Sequence, residues 1–294
     1  MASSQVVRIR VAQHAGVCYG VERALKLTID AASAARQPVR TLGPLIHNPR
    51  VVAELSAAGV GTAGSVDEAE AGTLVIRAHG VVPQAIESAK HHGLDVIDAT
   101  CPYVKKVHHA AARLAADGYQ VIVVGESGHP EVEGILGHAG DGAVVVSGID
   151  DLNDIVLGKR VGVVVQTTQT DERLGQVVAS LVARVGEIRV INTICKATHE
   201  RQESAERLAS SVDAMVVIGG KNSGNTRRLA QICAAQCPST YHVEDADELD
   251  PIWFQDVRNI GLTAGASTPP AHIHQVIDRL VACNPDSSVE WNRD

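Results

Sequence analysis

Short runs of β-branched and aliphatic residues recur along the whole chain. They are VVRIRVA (6–12), VRTLGPLI (39–46), TLVIRAH (73–79), DVIDAT (95–100), QVIVVGE (120–126), AVVVSG (143–148), RVGVVVQT (160–167), IRVINTI (188–194), AMVVIGG (214–220), TYHVED (240–245) and NIGLTAGA (259–266). Between most of them lie stretches with helical periodicity, such as VKKVHHAAARLAADG (104–118) and TRRLAQICAAQ (226–236). Strands alternating with helices predict a parallel α/β architecture. The strands are too many for one small sheet. Three cysteines, Cys18, Cys101 and Cys195, each join an apolar run to a helical pattern, and dividing the chain there gives a loose threefold repetition of one α/β unit. The units are predicted at 15–100, 101–193 and 194–283, with residues 1–14 lending a strand to the third. Residues 284–294, NPDSSVEWNRD, show no period and are expected to be a frayed polar tail.

Composition supports this picture. Of 294 residues 45% are hydrophobic but only 2% aromatic, so the core must be Val, Leu, Ile and Ala, as suits parallel strands covered on both faces. No apolar run approaches the roughly 20 residues of a membrane helix, and MASSQVVRIR does not read as a signal peptide, so a cytoplasmic protein is expected. Six cysteines then mean thiols or metal ligands rather than a disulfide scaffold. A net charge of −8 argues against nucleic acid as the main partner. It leaves room for a small anionic substrate held by helix N-termini and a few polar side chains.

Candidate chemistry gathers at the predicted strand ends, where ligands of parallel sheets bind. His47, His79, Cys101, His129 with Glu131, Thr167 and Thr168, Cys195, Ser223, Asn225 and Ser267 all fall there. A single His in such a place is more often structural, and Ser or Asn before a helix is usually an N-cap; the shared topological position of so many is what carries weight. Three Cys with a His could form a tetrahedral zinc site, and Cys195 or Cys101 with a His base could serve a hydrolase. GVGTAG (59–64) matches a dinucleotide fingerprint but follows a helical pattern rather than a strand, so it fails its context test. Cys233 and Cys237 are expected to pack in the core, and Cys283 is incidental. His91, His92, His108, His109, His272 and His274 are expected on solvated helix faces.

The ordered motifs GVCYGVERA, GPLIHNP, RAHGV, DATCPYV, GHPEVEG, QTT, TICKATHERQ, GGKNSGNTRRL and TAGASTP span almost the whole chain, and together they resemble the LytB/IspH family of 4-hydroxy-3-methylbut-2-enyl diphosphate reductases. The resemblance implies a trefoil of three α/β units around a central [4Fe-4S] cluster, with Cys18, Cys101 and Cys195 as its ligands and one iron lacking a protein ligand. It implies substrate contacts at His47, His79, His129, Thr167, Thr198, Ser223, Asn225 and Ser267, and Glu131 as the catalytic proton donor. Gly224 stands where some relatives have a second Ser, so a contact there must come from its backbone N–H.

The implied reaction removes an allylic hydroxyl with two electrons and two protons, giving isopentenyl and dimethylallyl diphosphate. Glu131 is the carboxylate most clearly placed to serve as acid. No flavin or nicotinamide motif is present, so the resemblance implies a ferredoxin or flavodoxin as electron donor. Lys105–Lys106 and Arg227–Arg228 are the candidate basic patches for such an acidic partner, although solvated helix faces are the simpler expectation for both.

Overall fold

The structure is a computed structural model that describes residues 6–291. The first strand, β1 (Arg8–Val11), leads to Cys18 and helix α1 (Tyr19–Ala34). Next come β2 (Val39–Leu42), α2 (Pro49–Ala57), β3 (Val60–Ala63), β4 (Thr73–Ile76), α3 (Pro83–His91) and β5 (Asp95–Asp98), whose strands form a parallel sheet in the order β3-β2-β4-β5. The second sheet follows α4 (Pro102–Ala116). Its elements are β6 (Gln120–Val124), α5 (Pro130–Ala139), β7 (Val144–Val146), β8 (Arg160–Val165), α6 (Asp171–Val182) and β9 (Glu187–Val190), in the order β7-β6-β8-β9. After α7 (Lys196–Ala209) the third comprises β10 (Ala214–Ile218), α8 (Gly224–Gln236), β11 (Thr240–Val243), β12 (Asn259–Ala264), α9 (Pro270–Cys283) and β13 (Ser288–Trp291), with β1 inserted: β11-β10-β12-β1-β13.

The same strand order is thus used three times, and so are individual hydrogen bonds. The N–H of the glycine that follows the first strand of each quartet donates to the last carbonyl of the outer neighbour: Gly43 to Ala63 (2.8 Å), Gly125 to Val146 (2.9 Å) and Gly219 to Val243 (2.9 Å). By internal contacts the chain divides into two compact units. One holds the segments ending at Cys18, His47–Pro49 and from Lys196 onward, hence the five-stranded sheet; the other holds Tyr19–Ile46 and Arg50–Cys195, hence the two four-stranded sheets.

Valine-rich strands work here because both sheet faces are covered, and successive side chains point to opposite faces. In β6, Val121 and Val123 pack with Val107, Leu114, Val132 and Ile135 of α4 and α5, whereas Ile122 and Val124 pack with Leu174, Val177 and Leu181 of α6. Burying each such side chain fully is worth about 1.5–3 kcal/mol. No helix of the described residues is long and apolar enough to cross a membrane.

Two expectations are corrected. Residues 288–291 are not frayed: they form β13, paired in parallel with β1, while 292–294, like 1–5 of the N-terminal strand segment, lie outside the described residues. His108 and His272 are not solvated, being 5% and 3% exposed. His108 stacks on His138 with ring centroids 4.0 Å apart, and burial followed by that neighbour drives its pKa down to about 3, so it is a neutral core residue.

Candidate active site

Each of the three junction cysteines immediately precedes a helix: Cys18 before α1, Cys101 before α4 and Cys195 before α7. Each is anchored through its own N–H to a carbonyl just beyond the neighbouring strand. Cys18 donates to Ala266 after β12 (3.2 Å), Cys101 to Ala78 after β4 (3.0 Å) and Cys195 to Thr167 after β8 (3.1 Å). All three are partly exposed and take part in no disulfide. Cys18 opens into a cleft of about 280 Å³ that also reaches His14, Glu200 and Arg201. Cys233 and Cys237 differ in kind. They lie in the apolar cluster under β10, and burial pushes the Cys233 thiol up to about 12, so it cannot present a thiolate at neutral pH. Within neither unit do three His, Cys, Asp or Glu side chains among the described residues group closely enough to hold a metal ion.

At the end of the β7-β6-β8-β9 sheet stands Glu131, in the first turn of α5 and 2% exposed. The Thr167 N–H donates to its Oε1 (2.7 Å) and the Thr167 hydroxyl donates to its Oε2 (2.9 Å). Burial raises the Glu131 pKa to about 7 and outweighs these two bonds, which pull it down. The carboxyl therefore exchanges its proton near neutrality, as a general acid requires. Glu131 is not the helix cap. That role belongs to His129, whose Nδ1 accepts from the Glu131 N–H (3.1 Å), which leaves Nε2 as the nitrogen that carries hydrogen. The His79 ring meets His129 edge-on, with centroids 5.6 Å apart. Nor is Thr167 a helix cap, since Thr170 caps α6.

In the other unit the N-terminus of α8 gathers hydrogen-bond donors. Ser223 is its N-cap, with Oγ accepting from Thr226 N–H (3.3 Å) and the hydroxyl hydrogen left to donate. Gly224 and Asn225 occupy the first turn, where backbone N–H groups have no intrahelical acceptor. Asn225 is 5% exposed, and neither amide atom has a partner among the described residues. Such a group is costly unless a ligand completes it. The Ser267 hydroxyl donates to the His47 carbonyl (3.2 Å) and the Asn48 amide donates to the Ser267 carbonyl (2.8 Å), tying the segment before α2 to the end of β12. Thr198 is buried in the first turn of α7.

Two positioning residues escape sequence reasoning. Asn48 is one. Arg201 is the other: from within α7 its guanidinium donates to the Ala197 carbonyl (2.8 Å) and to the Gly16 carbonyl (2.6 Å), fastening the loop that carries Cys18. Both sit inside quoted motifs, IHNP and HERQ, which is the signal that could have found them. His199 and Glu200 pair along the helix surface with Glu203 (3.3 Å) and Lys196 (3.2 Å). Of the basic pairs, Lys105 is bound to Asp98 (2.6 Å), and Arg228 is buried at 8% exposure rather than solvated, because α8 turns that face inward.

Residues 9–281 match the LytB protein family. Similar curated proteins include the 4-hydroxy-3-methylbut-2-enyl diphosphate reductase of Citrifermentans bemidjiense, 49% identical over 95% of this chain and 99% of that protein. That of Aquifex aeolicus is 48% identical over 94% and 96%. A solved structure of (E)-4-hydroxy-3-methyl-but-2-enyl diphosphate reductase, described as the terminal enzyme of the non-mevalonate pathway, is 47% identical with a TM-score of 0.70, covering 94% of this chain and all of that one. The E-1-hydroxy-2-methyl-but-2-enyl-4-diphosphate reductase of Plasmodium falciparum, 26% identical, superposes with a TM-score of 0.92 over 98% of this chain and 93% of its own. With the family match running nearly end to end and relatives close to half identical over nearly the whole chain, the chain belongs to the LytB family.

Proposed function

We propose that this chain reductively removes the hydroxyl of 4-hydroxy-3-methylbut-2-enyl diphosphate to give isopentenyl and dimethylallyl diphosphate, the last step of the non-mevalonate route to isoprenoids. The observation that carries the reading is the threefold use of one junction, with a backbone-anchored thiol between strand and helix each time. Three soft, partly exposed sulfur donors of this kind suit an iron–sulfur cluster. Cys18, Cys101 and Cys195 would hold a [4Fe-4S] cluster with one iron free of protein ligands, which when bound supplies electrons and a Lewis acid for the substrate oxygen. The zinc and hydrolase alternatives draw no support from relatives that are named reductases.

The chain's own residues do the rest. Glu131 keeps a proton near pH 7 and delivers it, and Thr167 orients both carboxyl oxygens. His129 offers Nε2–H as a donor, with His79 edge-on beside it. Ser223 hydroxyl, the Gly224 N–H and the Asn225 amide receive diphosphate oxygens, helped by the positive end of α8. His47, Thr198 and Ser267 complete the substrate contacts. Electrons come from a ferredoxin or flavodoxin.

Anaerobic purification with iron and sulfide analysis, followed by turnover of the diphosphate with a reduced donor, tests the reading. About four irons and four sulfides per chain are expected if the ligand set is as assigned. Replacing Cys18, Cys101 or Cys195 by Ser should remove most of the iron, and Cys233→Ser should not. A folded Cys233→Ser variant without iron would overturn the ligand assignment.

A further inference from the structure

The threefold repeat allows three equivalent places to be compared. In each sheet the first and third strands of the quartet lie side by side, and the chain leaves them in opposite directions, so a topological switch point opens between their carboxyl ends. The residue just after the third strand is Arg77, Gln166 or Gly265. Gln166 is fully buried and fills its place, its Oε1 accepting from the Glu126 N–H (3.0 Å) and from the Gln169 amide (3.2 Å). At Gly265 the Thr226 hydroxyl occupies the room a side chain would need. At the third place there is a cleft of about 310 Å³ between the ends of β2, β3 and β4 and the starts of α3 and α5.

The charge in this cleft is not neutralised. The Arg77 Nε donates to the Gly80 carbonyl (3.4 Å), and no carboxylate pairs with the guanidinium among the described residues. Gly43, at φ +69°, makes room for it, since a Cβ there would lie 2.6 Å from Arg77 Nη1. Burial, with no compensating carboxylate, holds the Arg77 pKa below its usual value. The N-terminal residues of α3 line the same cleft, and its N-cap Val82 offers no side-chain acceptor, so the positive end of that helix is uncapped. Glu133 lies at the rim, exposed to solvent. Ser65 adds one polar residue to the lining, and the rest of the wall is mostly apolar, chiefly Leu42, Val66, Val81, Val82 and Ala85.

We propose that this cleft is a second ligand site, which binds a small oxyanion carried on a short hydrocarbon body. Its lining includes no junction thiol, none of the strand-end histidines and not Glu131. A phosphate ester or a carboxylate supplies the head that a guanidinium binds with two parallel hydrogen bonds, and a branched chain of a few carbons covers the apolar wall. Because Pro130 and Glu133 flank the acid on α5, an occupant would rest against the helix that carries Glu131.

Equilibrium dialysis of radiolabelled isopentenyl diphosphate against the full-length protein tests this. Two saturable equivalents per chain are expected, of which the Ser223→Ala, Asn225→Ala double variant weakens only one. Arg77→Gln should weaken the other by about tenfold or more, since it removes a charge-assisted pair, and Ala85→Leu should do so by filling the cleft. Displacement by isovalerate would mark a carboxylate-headed ligand, and displacement by phosphate esters alone a phosphorylated one; either supports the site. A single equivalent in the wild type, or a second equivalent untouched by both cleft variants, would overturn it. So would equal competition by isopentenol, which lacks the anion, or by inorganic pyrophosphate, which lacks the hydrocarbon.

Discussion

Glu131 and Asn225 are both buried polar side chains in the first turn of a helix, yet their surroundings prepare them for opposite tasks. Both oxygens of Glu131 are engaged by one residue, Thr167, and burial rather than any cation sets its proton affinity. Asn225 is held in place by its helix, with its amide atoms left open. The first is a closed arrangement whose variable is a proton; the second keeps a donor and an acceptor that the proposed diphosphate would engage. The roles proposed for the two, proton delivery and ligand binding, should therefore be separable at the level of single side chains.

The separation can be broken or sharpened by substitution. The largest effect is expected for Glu131→Gln, which keeps shape and hydrogen-bonding reach but removes the transferable proton. Turnover should fall by about two or more powers of ten with substrate affinity nearly intact, and Glu133→Gln should behave as wild type; steady-state kinetics with a binding measurement decide. Next comes stability. The folded Glu131 carboxyl keeps its proton up to about pH 7, whereas the unfolded one releases it near its ordinary value of 4.5. Its contribution is therefore complete below pH 4.5 and lost as pH rises through 7, on the order of a few kcal/mol. Urea unfolding across that window should show a slope in the wild type that Glu131→Gln flattens.

Asn225→Ala should act on the other side, weakening substrate binding by about 1–3 kcal/mol while saturating turnover changes little. A fall in kcat at unchanged affinity would contradict this division of roles. The smallest change is expected for Thr167→Val, which keeps the N–H bond and deletes the hydroxyl. Because that hydroxyl lowers the Glu131 pKa, the high-pH limb of the pH–rate profile, where the general acid loses its proton, should move upward, by about one unit or less.

Much of this could be read from the residues. Alternation of β-branched runs with helical patterns located most strands, and the three thiols marked the repeat. The strands that escaped are edge strands with poor signals: β3 lies inside GVGTAG, where glycines dilute the apolar run, and β13 reads SVEW, with pairing on one side only. His108 was hidden by His109. Adjacent helical residues point about 100° apart, so one faces the core and the other water, and the pair gives no clue which. Asn48 and Arg201 act on carbonyls remote in sequence, Ser267 and Gly16, and local pattern carries no information about such partners.

The anchoring of the junction cysteines has a consequence for assembly. Each thiol is positioned by a main-chain bond to an adjacent strand end, a bond that depends on neither the sulfur nor anything the sulfur binds. The sheets that supply those bonds have their own aliphatic cores. Each junction is therefore shaped by the sheet it closes, and its backbone should keep its form when the proposed cluster is lost. Damage to such a cluster would then call for reloading rather than for synthesis of a new chain.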